Sequence, residues 1–181
     1  TVTDPYQPVE SKLQLTRTCL EVLARHSFKV SIQTKSSLVL RDPDRISGPK
    51  FDVGVTITTV DSELAEKLEP RASLPQERQQ ILETYSDRKT ETWIFLGPII
   101  PYINDQPENL ERIIRIAKAT NSRLLFDKLN LRPWVLEKLT PFLAKEAPQA
   151  LESVCSLLRE RSEYWKMIST RILTSCRDHG V

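Results

Sequence analysis

Glycine is scarce in this chain, with 4 in 181 residues. That excludes a dinucleotide-type glycine fingerprint and long flexible linkers. Charge of one sign is lacking too: 26 Lys and Arg stand against 24 Asp and Glu, so no large basic surface announces a nucleic-acid partner. No apolar run approaches the ~20 residues that span a bilayer. No basic stretch followed by an apolar one opens the chain, so no signal peptide is expected. The chain therefore reads as soluble and cytoplasmic. The three cysteines, Cys19, Cys155 and Cys176, show no Cys-x2-Cys or other ligand spacing and read as reduced core thiols. No metal site is expected on them. The two histidines carry no motif: His26 ends a helix and His179 lies in the C-terminal tail.

Periodicity supplies the architecture. Val9, Leu13, Thr16, Leu20 and Leu23 fall at helical spacing. Phe28, Val30 and Ile32 alternate with polar residues, as do Phe51, Val53, Val55 and Ile57, which predicts two half-buried strands. Asp61 suits an N-cap, and Ser73 with Gln76 has capping-box spacing ahead of Ile81, Leu82 and Tyr85. TWIFLG is a continuous apolar strand of the kind covered on both faces. Asp105 with Glu108 precedes a helix bearing Leu110, Ile113, Ile114 and Ala117, and RLLF is the last strand. Beyond Leu131 the pattern is helical, over 134–145 and 148–177. A continuous helix there would hold Cys155 and Cys176 about 31 Å apart at ~1.5 Å per residue. Trp93, Trp134 and Trp165 read as core residues, and the charges of RERSE (159–163) as a solvated helical face.

Alternating strands and helices imply a parallel sheet, whose C-terminal edge gathers loops and helix N-termini around a ligand. SIQTK and FDVGVTIT place polar groups at or near that edge. Thr3, Asp4, Lys35, Thr56, Asp127 and Lys128 are thus expected on one ligand-facing rim.

Five stretches in order sharpen the expectation: TDPYQPVE, TKSSLVLRD, VGVTITTVD with LEPRASLPQER, GPIIPYIND, and FDKLNLRP. Over residues 1–135 they resemble the spore photoproduct lyase-like radical S-adenosylmethionine proteins. The resemblance implies a partial (β/α)6 barrel over 1–133, lacking its N-terminal strand or strands, with a C-terminal helical extension over 134–181. It implies cleavage of S-adenosylmethionine at a [4Fe–4S] cluster to give a 5′-deoxyadenosyl radical. The Cys-x3-Cys-x2-Cys cluster motif is absent here, so the chain is expected to be the C-terminal portion of a longer enzyme and inactive alone. By the same resemblance, Thr3, Asp4, Lys35, Thr56, Gly97 and Ile99 are candidate cofactor contacts. Asp127, Lys128 and Arg71 are candidate substrate-facing groups. Asp4 has two readings, a partner for the cofactor ammonium or an Asx turn into Pro5. Asp127 and Lys128 have a second reading as a mutual ion pair. Val2 stands where the lyase carries a hydrogen-returning cysteine, which argues against thymine-dimer repair in its known form. Family analogy points to a nucleic-acid substrate. The rival expectations are a non-catalytic α/β domain that binds a ligand or protein, and an interaction domain that dimerises through its long C-terminal helix.

Overall fold

The computed structural model describes residues 3–151, 153–158 and 162–181, the side chain of Cys155 excepted. Among these residues four strands form one sheet: β1 (Val30–Thr34), β2 (Phe51–Thr56), β3 (Glu91–Ile99) and β4 (Arg123–Lys128). All pairings are parallel and the spatial order follows the chain, β1-β2-β3-β4. Among the described residues the sheet is open, with β1 and β4 each paired on one side. The expected partial (β/α)6 barrel is not the fold. Four strands in one all-parallel sheet, flanked by helices, fit a Rossmann-like α/β arrangement instead.

One face of the sheet carries the core. Ile32, Val53, Val55, Ile94 and Leu96 meet Ile81, Leu82 and Tyr85 of α4 (Pro75–Asp87) and Leu110, Ile113 and Ile114 of α5 (Pro107–Ala119). The opposite face carries Ser31, Gln33, Trp93, Phe95 and Leu125, all exposed or half-buried. β3 is therefore covered on one face, not two. Its alternating burial shows that Trp93 and Phe95 interrupt the core side of the pattern only in sequence, since they point the other way. Asp52 on this face accepts hydrogen bonds from Trp93 Nε1 (2.6 Å) and Ser31 Oγ.

The N-terminal helix is broken. Gln14, at φ 51°, separates α1 (Glu10–Leu13) from α2 (Leu15–Arg25), and of the expected stripe only Leu20 is buried. His26 is the C-cap of α2, as expected. Asp61 caps α3 (Ser62–Leu68), accepting from Glu63 N at 2.9 Å. At α4 the first-turn acceptor is Glu77, which takes Leu74 N at 2.8 Å, so the box lies one residue beyond the expected Ser73–Gln76 pair. Asp105 does not cap α5, whose N-cap is Gln106; its carboxylate accepts instead from Tyr164 Oη at 2.9 Å.

The C-terminal region is α6 (Pro133–Glu146), α7 (Pro148–Leu151), α8 (Val154–Leu157) and α9 (Glu163–His179). A single helix over 148–177 is not formed, because Ser162 is extended and its hydroxyl accepts from Trp165 N to start α9 anew. The 31 Å cysteine separation falls with that helix. Arg159, Glu160 and Arg161 of the charged run lie outside the described residues. Leu139, Leu143, Ala150 and Val154 close a second small core with Ile100 and Ile103. Ile168 and Ile172 of α9 join the main core, leaving Met167 and Leu173 exposed. His179 belongs to the last turn of α9 and not to a loose tail, with Nε2 3.0 Å from Glu111 Oε1. No helix of the described residues is long and apolar enough to cross a membrane.

Candidate functional site

A cleft of about 560 Å³ opens at the C-terminal end of β1, between the N-terminal turn and the segment joining α3 to α4. Asp4, Lys35, Glu69, Arg71 and Ser73 line it. Three of the expected site residues, Asp4, Lys35 and Arg71, are thereby brought together.

Asp4 is committed to the protein itself. Its Oδ1 accepts from Tyr6 N (2.8 Å) and Thr34 Oγ1 (2.7 Å), and its Oδ2 from Lys35 N (2.7 Å). The bond to the residue two places on is an Asx turn, so that reading of Asp4 is the one the backbone realises. The carboxylate thus ties the N-terminal turn to the end of β1. Lys35 extends from the same turn, and its Nζ lies 2.5 Å from Glu69 Oε1.

Beneath Glu69 lies Arg78, whose side chain is 2% exposed. Its Nε donates to Ser73 O (2.7 Å) and its Nη1 to Thr56 O (2.8 Å). Nη1 is also 2.6 Å from Glu69 Oε2, though without hydrogen-bond geometry, so Arg78 Nη2 and Glu69 Oε2 both remain buried and without a hydrogen bond. Sequence reasoning missed Arg78. The signal was present: Arg78, Ile81, Leu82 and Tyr85 stand at i, i+3, i+4 and i+7, so an arginine occupies the apolar stripe of α4. A buried arginine needs fixed partners, and here they are the strand end and the cleft wall.

The remaining expected residues do not line this cleft. Thr3 is exposed and accepts from Gln7 Nε2. Thr56 is buried on the open sheet face, its Oγ1 accepting from Gln33 Nε2 at 3.3 Å. Gly97 does allow close approach, but the space is taken by the Phe95 ring: a Cβ there would sit 2.7 Å from Phe95 Cε1. Ile99 is fully buried and faces the core, out of reach of any ligand in the cleft. Asp127 Oδ1 accepts from the backbone N of Lys128 at 2.8 Å, while the Lys128 ammonium lies 6.0 Å from the ring centroid of Trp165.

Asn104 is a further anchor at this end of the sheet. Fully buried, it accepts from Ile100 N (2.7 Å) and donates to Thr58 O and Pro98 O (3.0 Å each), tying the ends of β2 and β3 together.

The residues present do not fit an iron–sulfur cluster. Among the described residues no group of three or more His, Cys, Asp or Glu could hold a metal ion; Cys19 is exposed on α2 and Cys176 half-buried on α9. Burial pushes the Cys176 thiol pKa up, away from the thiolate that iron would need.

No family model matches the chain. It is 30% identical over 154 residues to an uncharacterized protein of Methanocaldococcus jannaschii, a match covering 84% of this chain and 57% of that protein. It is 26% identical over 164 residues to an uncharacterized protein of Mycobacterium bovis, covering 88% and 48%. An uncharacterized protein of Acidianus two-tailed virus is 32% identical over 117 residues, covering 62% and 38%. The chain spans about half the length of the first two curated relatives it matches.

Proposed function

We propose that this chain is the S-adenosylmethionine-holding part of a radical enzyme resembling the spore photoproduct lyase-like proteins, working in the reducing cytoplasm. The observation that carries this reading is Lys35. Its side chain lines a cleft of about 560 Å³ at the C-terminal edge of an all-parallel sheet, and Arg71 lines the same cleft. Such a cation meets a carboxylate, and S-adenosylmethionine carries one. Asp4 serves the cofactor indirectly: it accepts the backbone N–H of Lys35 and so fixes the turn from which the ammonium projects. In a complete enzyme, one electron from an iron–sulfur cluster held outside the described residues would cleave the bound sulfonium to methionine and a 5′-deoxyadenosyl radical. A cluster to deliver the electron finds no ligands among the described residues, so the role assigned to this chain is to bind and orient the cofactor.

Titration calorimetry of S-adenosylmethionine into this chain tests the reading. Binding should weaken about tenfold or more in Lys35→Ala, the scale of one charge-assisted hydrogen bond. An intact chain that takes up no S-adenosylmethionine would remove the proposal. The rival reading is an α/β domain that binds a small anion and performs no chemistry. It predicts anion binding without preference for the sulfonium. A nucleic-acid substrate, carried over from the family, is supported by no excess of basic residues, since the formal net charge is +2.

A further inference from the structure

Two cations converge on one carboxylate at the cleft. Lys35 Nζ is 2.5 Å from Glu69 Oε1 and Arg78 Nη1 is 2.6 Å from Glu69 Oε2. They differ in how firmly they are held. Arg78 is buried and fastened to Thr56 O and Ser73 O, so it cannot follow a ligand. The Lys35 side chain is 39% exposed and faces the cleft. Among the described residues Glu69 is its ion-pair partner.

The consequences of breaking each pair are unequal. If Arg78 were removed, the cluster would lose its one buried guanidinium and two backbone acceptors would lose a donor. If Lys35 leaves, Glu69 stays neutralised by Arg78, and no buried charge is stranded. Glu69 would even gain, because Arg78 Nη2 and Glu69 Oε2 lie buried without hydrogen bonds. A carboxylate turned squarely onto the guanidinium makes the two-bond fork that such pairs favour.

We propose that Glu69 is a displaceable counter-ion for Lys35: the anionic group of a ligand entering the cleft takes over the ammonium, and Glu69 turns to close a fork with Arg78. Glu69 is thus a positioning residue that keeps Lys35 at the cleft mouth and competes with the ligand for it. The inference rests on the reading above only in that the cleft receives an anionic group; Arg71, which also lines the cleft, adds to the attraction.

Amide NMR titrations of the chain with sodium sulfate test this without S-adenosylmethionine, using wild type, Glu69→Gln and Lys35→Gln. Glu69→Gln removes the competitor and should tighten sulfate roughly 3- to 10-fold, the size of one partly exposed ion pair. Lys35→Gln should abolish the perturbations at the amides of position 35 and Ser73. Should Glu69→Gln fail to fold, Lys35→Gln decides, since it keeps the Glu69–Arg78 pair. Weaker or unchanged sulfate binding in Glu69→Gln overturns the proposal, as does wild-type binding in Lys35→Gln or no sulfate binding to wild type. Parallel calorimetry with S-adenosylmethionine separates the two ideas. Sulfate behaving as described while the cofactor does not bind leaves the counter-ion standing and the cofactor reading lost. The cofactor binding equally to wild type and Glu69→Gln does the reverse.

Discussion

Trp93 lies across Gly54: a Cβ built on Gly54 would sit 2.1 Å from Trp93 Cε2 and 2.3 Å from Cδ2. The two residues are register partners on β2 and β3, so the indole covers its neighbour on the open face of the sheet. Its Nε1 is then aimed at Asp52. Replacing Gly54 by Ala forces the indole off the sheet and breaks that bond. We expect a loss of about 1–3 kcal/mol, in the range of overpacked cores, read by urea unfolding together with a changed near-ultraviolet dichroism. An unaltered aromatic spectrum would show that the ring does not rest on the glycine.

Asp42 contributes to the acid limb of stability. Fully buried, it accepts from Tyr6 Oη (3.0 Å), Arg41 Nη2 (3.0 Å) and Arg17. Burial alone would raise its pKa, but the hydrogen bonds from Arg41, Arg17 and Tyr6 outweigh that and hold the carboxyl below its ordinary range. A depressed carboxylate contributes stability that is complete above its unfolded-state pKa of ~3.9 and is lost as pH falls through the folded value. Asp42→Asn should therefore cost about 3 kcal/mol at pH 7 and flatten the decline below about pH 4. Thermal unfolding from pH 7 to pH 2 checks both; a parallel offset at every pH would exclude the linkage.

Arg78→Lys tests the buried guanidinium. An ammonium cannot serve Ser73 O, Thr56 O and Glu69 together in the flat fork that arginine provides. The variant should lose about 2 kcal/mol in chemical denaturation. Equal stability would mean that charge alone, without fork geometry, suffices at this position.

Asn104→Ala removes one acceptor and two donors used by buried backbone groups of the strand ends. The expected cost is about 2–3 kcal/mol, with hydrogen exchange accelerated at Ile100 in particular. Protection at Ile100 as in wild type would count against the anchor.

Much of the sheet was legible in the sequence because strand alternation is a local signal. Val30–Ile32 and Phe51–Val55 point their apolar sides inward as their spacing requires. Asp61 likewise capped its helix through neighbours two and three residues away. Whether these strands form an open sheet or part of a barrel was not legible, because it depends on which partners β1 and β4 have and no local pattern records that. The break at Gln14 was hidden by a stripe that reads as one helix; Arg17 and Glu10, on either side of it, go to Asp42 and Arg41. Within the site, Asp4 and Lys35 are legible as polar groups near strand ends, whereas Arg71, between α3 and α4, is pointed to only by the family resemblance. Glu69 and Arg78 matter through each other, across a loop and a helix turn. Gly97 shows the converse: its small size is used, but by Phe95 of its own strand.

Because spatial order repeats chain order, each strand after the first docks on one already made. A chain growing from its N-terminus can therefore add β2 to β1 and then β3 to β2, never waiting for a later strand to open a gap between earlier ones. Separations between paired strands stay short, which favours rapid assembly for a parallel sheet. The buried arginine of α4 fits this sequence of events, since Thr56, Glu69 and Ser73 all precede it in the chain. By the time Arg78 emerges, everything it must hold is already present.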